Sequence, residues 1–109
     1  VETNINIFQD DDGKFCLTVM DADDRTCALF EKMELQGGGY TWEGIATALA
    51  EMRMPEALPS IRFGAEADNM YAYCSDRGVL ERLARLIRDA CADHKLLTAA
   101  IEHAGENLE

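Results

Sequence analysis

Ser60-Ile61-Arg62-Phe63-Gly64-Ala65, then Glu66-Ala67-Asp68-Asn69, then Met70-Tyr71-Ala72-Tyr73-Cys74-Ser75-Asp76 is the stretch that decides the fold. Ile61 and Phe63 alternate with Ser60, Arg62 and Gly64, the period-two pattern of a strand with one buried face. Ala67-Asp68-Asn69 supplies turn residues. Met70, Ala72 and Cys74 share one face of a returning strand, and Tyr71 and Tyr73 the other. Ser75 or Asp76 offers a cap for a helix over about 77–91. Its Val79, Leu80, Leu83, Leu86, Ile87 and Ala90 follow the helical period. Asp93 caps a last helix with Leu96, Leu97, Ala100, Ile101 and Ala104 inward, ending at Gly105.

The same order occurs upstream. Residues 5–9 and 15–20 read as strands around Asp10-Asp11-Asp12-Gly13, where Asp-Gly tolerates the positive φ of a tight hairpin. Asp21 to Asp24 breaks the second strand and offers a cap, placed at Asp24, for a helix over about 25–34. Cys27, Phe30 and Met33 form one face of that helix, with Leu29 beside them. Gly37-Gly38-Gly39 ends it. Thr41 caps a second helix over about 42–53, with Ile45, Leu49 and Met52 as its core stripe. Pro55 stops it, because the residue before a proline is pushed out of the helical region. Glu56-Ala57-Leu58 forms one isolated turn. The order ββααββαα predicts an α+β domain, with two hairpins in one antiparallel sheet and helices packed on one face. One domain is expected over residues 1–109.

Acids outnumber bases 21 to 10, so the chain carries −11 with neutral histidines. Nucleic acid and anionic membranes need basic surface, so neither is an expected partner; a basic protein is. Residues 1–56 carry −8 and residues 57–109 carry −3, which places the asymmetry in the first half. No apolar run approaches a membrane span. No basic stretch followed by an apolar one opens the sequence, so no signal peptide is expected within it, while the start at Val1 leaves open one removed by processing. Cys16, Cys27, Cys74 and Cys91 form no C-x-x-C pair and sit in apolar segments, so four free, buried thiols in a reducing cytoplasm are expected.

Chemistry-bearing constellations are sparse. Neither Asp10–Asp12 nor Asp21–Asp24 begins a calcium loop, because the required Gly and Glu positions fail. No other metal or cofactor signature is present. Gly37–Gly39 lacks the spacing and Lys of a phosphate loop, and Glu43, expected in the first turn of the next helix, would repel an anion. Cys91 and His94 are three apart, but a break at Asp93 separates them and no third residue orients the His. A non-enzyme is expected. Trp42 reads either as a core anchor or, with Tyr40, as an interface anchor.

The run Phe30-Glu31-Lys32-Met33-Glu34-Leu35-Gln36-Gly37-Gly38-Gly39-Tyr40-Thr41-Trp42-Glu43 resembles the signature of the Immunity protein 51 family of bacterial polymorphic toxin systems. Members show an acidic helix, a short glycine-rich turn, an aromatic, and a Trp opening the next helix. The resemblance extends to Leu17-Thr18-Val19, Met54-Pro55-Glu56, Ser75-Asp76 and the long helix that follows, about residues 13–93. Gly78 in the first turn of that helix departs from it, as does the acidic hairpin tip. The resemblance implies a cytoplasmic antitoxin-like protein that binds the toxic C-terminal domain of a cognate effector. Such toxins are often nucleases with basic grooves.

Asp21, Asp23, Asp24, Glu31 and Glu34, with Tyr40, Trp42 and Glu43 at the adjoining junction, are the expected toxin-binding residues. The second reading is a ligand-sensing or regulatory module, in which the sheet face left open by the helices, lined by Tyr71 and Tyr73, takes a small molecule. The third is a small enzyme using Cys91 and His94.

Overall fold

The computed structural model describes residues 3–10 and 12–105; Asp11 of the acidic hairpin tip lies outside the described residues. The element order is β1 (Asn4–Gln9), β2 (Phe15–Met20), α1 (Asp24–Lys32), α2 (Gly39–Arg53), a 3-10 turn (Leu58–Ser60), β3 (Arg62–Ala65), β4 (Met70–Cys74), α3 (Arg77–Ala92) and α4 (His94–Ala104). The expected ββααββαα order is the order found. One antiparallel sheet runs β1-β2-β4-β3. The two hairpins join through β2 and β4, with Leu17 opposite Ala72 and Val19 opposite Met70.

Register sorts the sheet into two faces. Ile7, Leu17, Ala72 and Phe63 stand in one row across the four strands, and Ile5, Val19, Met70 and Ala65 in the next. This face is covered by α2 and α3, and α4 packs outside them against both. Leu17, Val19, Met70, Ile45, Leu49, Leu80, Leu83, Ile87 and Leu97 are fully buried in the resulting core. Each such side chain contributes about 1.5–3 kcal/mol relative to exposure. The opposite face carries the rows Asn6-Thr18-Tyr71-Gly64 and Phe8-Cys16-Tyr73-Arg62, and Phe8 is 49% exposed there.

Helix α1 departs from the sequence reading at both ends. Its cap is Asp23, whose Oδ1 accepts the Thr26 N–H at 2.8 Å; Asp24 falls in the first turn instead. Asp23 Oδ2 also accepts the Thr26 and Thr3 hydroxyls, each at 2.9 Å, and the Asp23 N–H donates to Thr3 Oγ1 at 2.9 Å. The start of β1 is thereby tied to the start of α1. This cap turns Thr26 and Phe30 inward, with Leu29 and Met33 partly buried. Cys27, expected on the core face, is exposed as a result. The helix stops at Lys32 rather than at the glycines. Glu34 has φ +62°, its N–H bonds the Glu31 carbonyl at 3.1 Å, and the Leu35 N–H bonds the Phe30 carbonyl at 2.8 Å. That is a Schellman closure with Glu in the left-handed position where Gly is usual.

The glycine run serves the next helix. Gly38 is the N-cap of α2 and Gly39 its first residue, so Thr41 is not the cap; its Oγ1 accepts the Gly37 N–H at 3.1 Å. The Gly39 N–H bonds the Ala67 carbonyl of the β3–β4 turn at 3.0 Å. A Cβ on Gly38 would lie 2.1 Å from that carbonyl oxygen, and one on Gly39 would lie 2.0 Å from Glu66 O and 2.2 Å from Asn69 O. Only glycine lets these two backbones meet. β3 begins at Arg62 rather than Ser60, because Pro59 and its neighbours close a 3-10 turn in which Ser60 N–H bonds Ala57 O and Ile61 N–H bonds Leu58 O.

Two outcomes check this architecture. Gly39→Ala forces the α2 start and the β3–β4 turn apart and costs about 1–3 kcal/mol or more, as overpacking does; urea denaturation with an unchanged midpoint would refute the close approach. Asp23→Ala costs about 1–2 kcal/mol at pH 7. Burial works to raise the Asp23 pKa, but the Thr26 N–H, the Thr26 and Thr3 hydroxyls and the charge of His94 outweigh it and hold the carboxyl below its ordinary range. A depressed carboxyl adds stability above its unfolded pKa of about 4 and loses it as pH falls through the folded value. The gap between wild type and Asp23→Ala therefore narrows in melts carried from neutral pH into that acid range.

Candidate functional site

The acidic residues singled out above divide by role. Asp21, Asp24, Glu31 and Glu34 are exposed, whereas Asp23 is half-buried and committed to the cap network. Nine residues of α1 span about 14 Å, so Asp23 and Asp24 sit at one end of it and Glu34 at the other. They are not one compact patch. At the hairpin tip, Asp10 Oδ1 accepts the Asp12 and Lys14 N–H groups, both at 3.0 Å, which makes Asp10 a turn-former.

The aromatic pair divides too. Tyr40, in the first turn of α2, is 50% exposed. Trp42 is 1% exposed, its ring meeting Phe30 edge-on at 5.3 Å and 75°. Of the two readings open for Trp42, the structure shows the core anchor, so the residue drops out of the surface. Glu43 is half-buried in the second turn of α2, not the first as expected. The carbonyls of the β3–β4 turn lie against Gly38 and Gly39, where a phosphate would have to approach.

Cys91 and His94 do fall in one neighbourhood, through a residue the sequence reading did not connect. Cys91 Sγ lies 3.5 Å from Thr3 Oγ1, Thr3 bonds Asp23, and the charge of His94 acts on Asp23. Burial pushes the Cys91 thiol up, the Thr3 bond opposes this, and the Asp23 charge adds to it. A nucleophilic cysteine needs the reverse shift. No group of three or more metal-ligating side chains occurs among the described residues. All four cysteines are free: Cys16 and Cys74 buried, Cys91 half-buried, Cys27 exposed. A disulfide-forming reagent should therefore modify Cys27 first in the folded protein and reach four thiols only in denaturant. Immediate reaction at Cys91 would contradict this placement.

A cleft of about 560 Å³ opens between Thr3, Ile5, Asp23, Arg25, Arg88 and Cys91. A second of about 330 Å³ continues from Ile5 and Arg88 along Asn6 and Ile7 to Arg85 and Arg77. The sequence reading missed this groove. Its signal was Arg77, Glu81, Arg85 and Arg88 at intervals of four, four and three, one stripe of a helix read only for its apolar side.

No helix among the described residues is long and apolar enough to cross a membrane. Comparison with curated proteins and with solved structures gave no match. The family model for Immunity protein 51 matches residues 5–106, from β1 to just beyond α4. With nearly the whole chain matched, and the α+β order in place beneath it, the protein belongs to the Immunity protein 51 family.

Proposed function

We propose that this immunity protein binds the toxic C-terminal domain of a cognate polymorphic toxin and neutralises it inside the producing cell, without catalysis of its own. The match over residues 5–106 carries the reading. The net charge of −11 supports a basic partner, such as a nuclease with a basic groove. The first-half acids support the α1 side as the contact: Asp21, Asp24, Glu31 and Glu34 are exposed, with Tyr40 beyond them as an aromatic anchor. Asp23 serves this surface by capping α1, and Trp42 by packing under it on Phe30.

Opposite charge accelerates encounter more than it deepens the final complex. Asp21→Asn, Asp24→Asn and Glu34→Gly together remove three charges and spare the Asp23 cap. Asn and Gly also suit the left-handed backbone at positions 21 and 34, where φ is +53° and +62°. The triple variant should associate with the toxin domain encoded beside it about tenfold more slowly at low salt, with dissociation little changed. An association rate indifferent both to the substitutions and to added salt would overturn the electrostatic part. Failure of the wild-type chain to rescue cells expressing that toxin domain would overturn the pairing itself.

A further inference from the structure

We propose that the outer edge of β1 and the arginine stripe of α3 form a binding site for an extended acidic segment of a partner protein, added to the sheet as a fifth strand. The site runs along β1 and α3 and adjoins the acidic α1 side at the cleft that Asp24 and Arg88 both line, and the inference does not rest on which toxin the protein meets.

Among the described residues β1 is an edge strand, paired with β2 alone. The Asp10 N–H donates to the Lys14 carbonyl at 2.8 Å, which makes 10 and 14 a hydrogen-bonded pair. Antiparallel pairs alternate, so Phe8, Asn6 and Asn4 turn their N–H and C=O groups toward β2. Ile5, Ile7 and Gln9 turn theirs outward. The Ile5 carbonyl is indeed met from outside, by Arg88 Nη2 at 3.3 Å. The edge is therefore a row of backbone donors and acceptors facing the groove, the template that strand addition uses.

The wall of the groove is basic in a chain where acids outnumber bases 21 to 10. Arg77, Arg85 and Arg88, with Glu81 as the one carboxylate, line it together with Ile5, Asn6 and Ile7. Among the described residues neither Arg85 nor Arg88 has a carboxylate within 4.0 Å, and Arg77 reaches Glu81 at 4.0 Å. Arg82, the fourth arginine of α3, turns elsewhere and is matched by Glu56 at 3.0 Å. Arg77 to Arg88 spans about 16 Å of helix, and Ile5 to Gln9 about 13 Å of strand. The two rows are matched in length, with Arg88 at the Ile5 end.

A strand paired with β1 would continue the row of Ile5 and Ile7 on its helix-facing side. Every second side chain would then point toward α3. Carboxylates at alternate positions meet the arginines, and Arg88 exchanges a neutral carbonyl for a charged partner, the stronger bond. The ligand class is thus an extended peptide with Asp or Glu at every second residue. Neither backbone nor charge suffices alone.

The test is titration of the ¹⁵N-labelled full chain with a capped ten-residue peptide alternating Glu and Thr. Shifts should centre on Ile5, Ile7, Gln9, Arg85 and Arg88, and hydrogen exchange at the Ile5 and Ile7 amides should slow. A Lys/Thr peptide, and a Glu/Thr peptide N-methylated at alternate residues, should both leave these signals in place. Arg77→Glu with Arg85→Glu should weaken binding by at least about tenfold, and Arg85→Gln, a neutral change on an exposed side chain, should weaken it in the same direction. Absence of shifts overturns the proposal. So does equal binding of the methylated or the Lys peptide. Shifts at Ile5 and Ile7 that grow with protein concentration alone would assign the edge to a second copy of the chain instead.

Discussion

The structure depends on a contact without side chains. The first turn of α2 rests on the β3–β4 turn through Gly38 and Gly39, with carbonyl oxygens standing where Cβ atoms would be. This contact sets the height of α2 above the sheet, and the rest of the core follows from that height. Trp42 and Ile45 go to full burial, α4 packs across α2 from outside, and Phe30 meets the Trp42 ring edge-on. A wider separation would open voids at each of these places, which a close-packed interior tolerates poorly. Nothing apolar is exchanged at the contact itself, yet the apolar core is arranged around it.

Much of this was legible in the sequence. Alternation in 70–74 and the 3.6-residue period in α3 and α4 gave a strand and helices with the correct buried faces, because one-sided burial writes its period directly into the chain. The stretch 15–20 is a strand as expected, but Cys16 and Thr18 on its other face are buried too. Asp76, Asp93, Pro55 and Gly105 marked ends correctly for the same reason: each has a specific local job in backbone bonding. The failures cluster around α1. Three acids at 21–24 with one gap offered several caps, and the choice of Asp23 was made by Thr3, twenty residues away. The end of α1 was hidden because Glu34 took a conformation normally left to Gly. The glycines that looked like a terminator were needed by a turn still thirty residues ahead.

The functional surface was less legible than the fold. Residue type signalled charge, but not which charges were already employed. Asp23 is acidic and structural; Trp42 is aromatic and internal. Conversely, the arginine stripe carried no recognised motif, and its meaning came only when the sheet order left β1 at an edge beside it. The acidic and basic regions give the molecule a polarity that its net charge conceals. The two regions adjoin at the cleft that Asp24 and Arg88 both line.

Helix α1 is joined to the rest of the chain by left-handed residues on both sides, Asp21 and Glu34, and it gives the core only two fully buried side chains, Thr26 and Phe30. Its outward positions, Asp24, Arg25, Ala28, Glu31 and Lys32, are exposed. Substitutions at exposed positions of this kind usually change stability by no more than about 0.5 kcal/mol. An immunity protein must change its recognition surface whenever the toxin changes, and must do so without losing its fold. A helix hung on two joints and two anchors gives such a lineage a place to vary, while the glycine contact and the four-stranded sheet stay fixed.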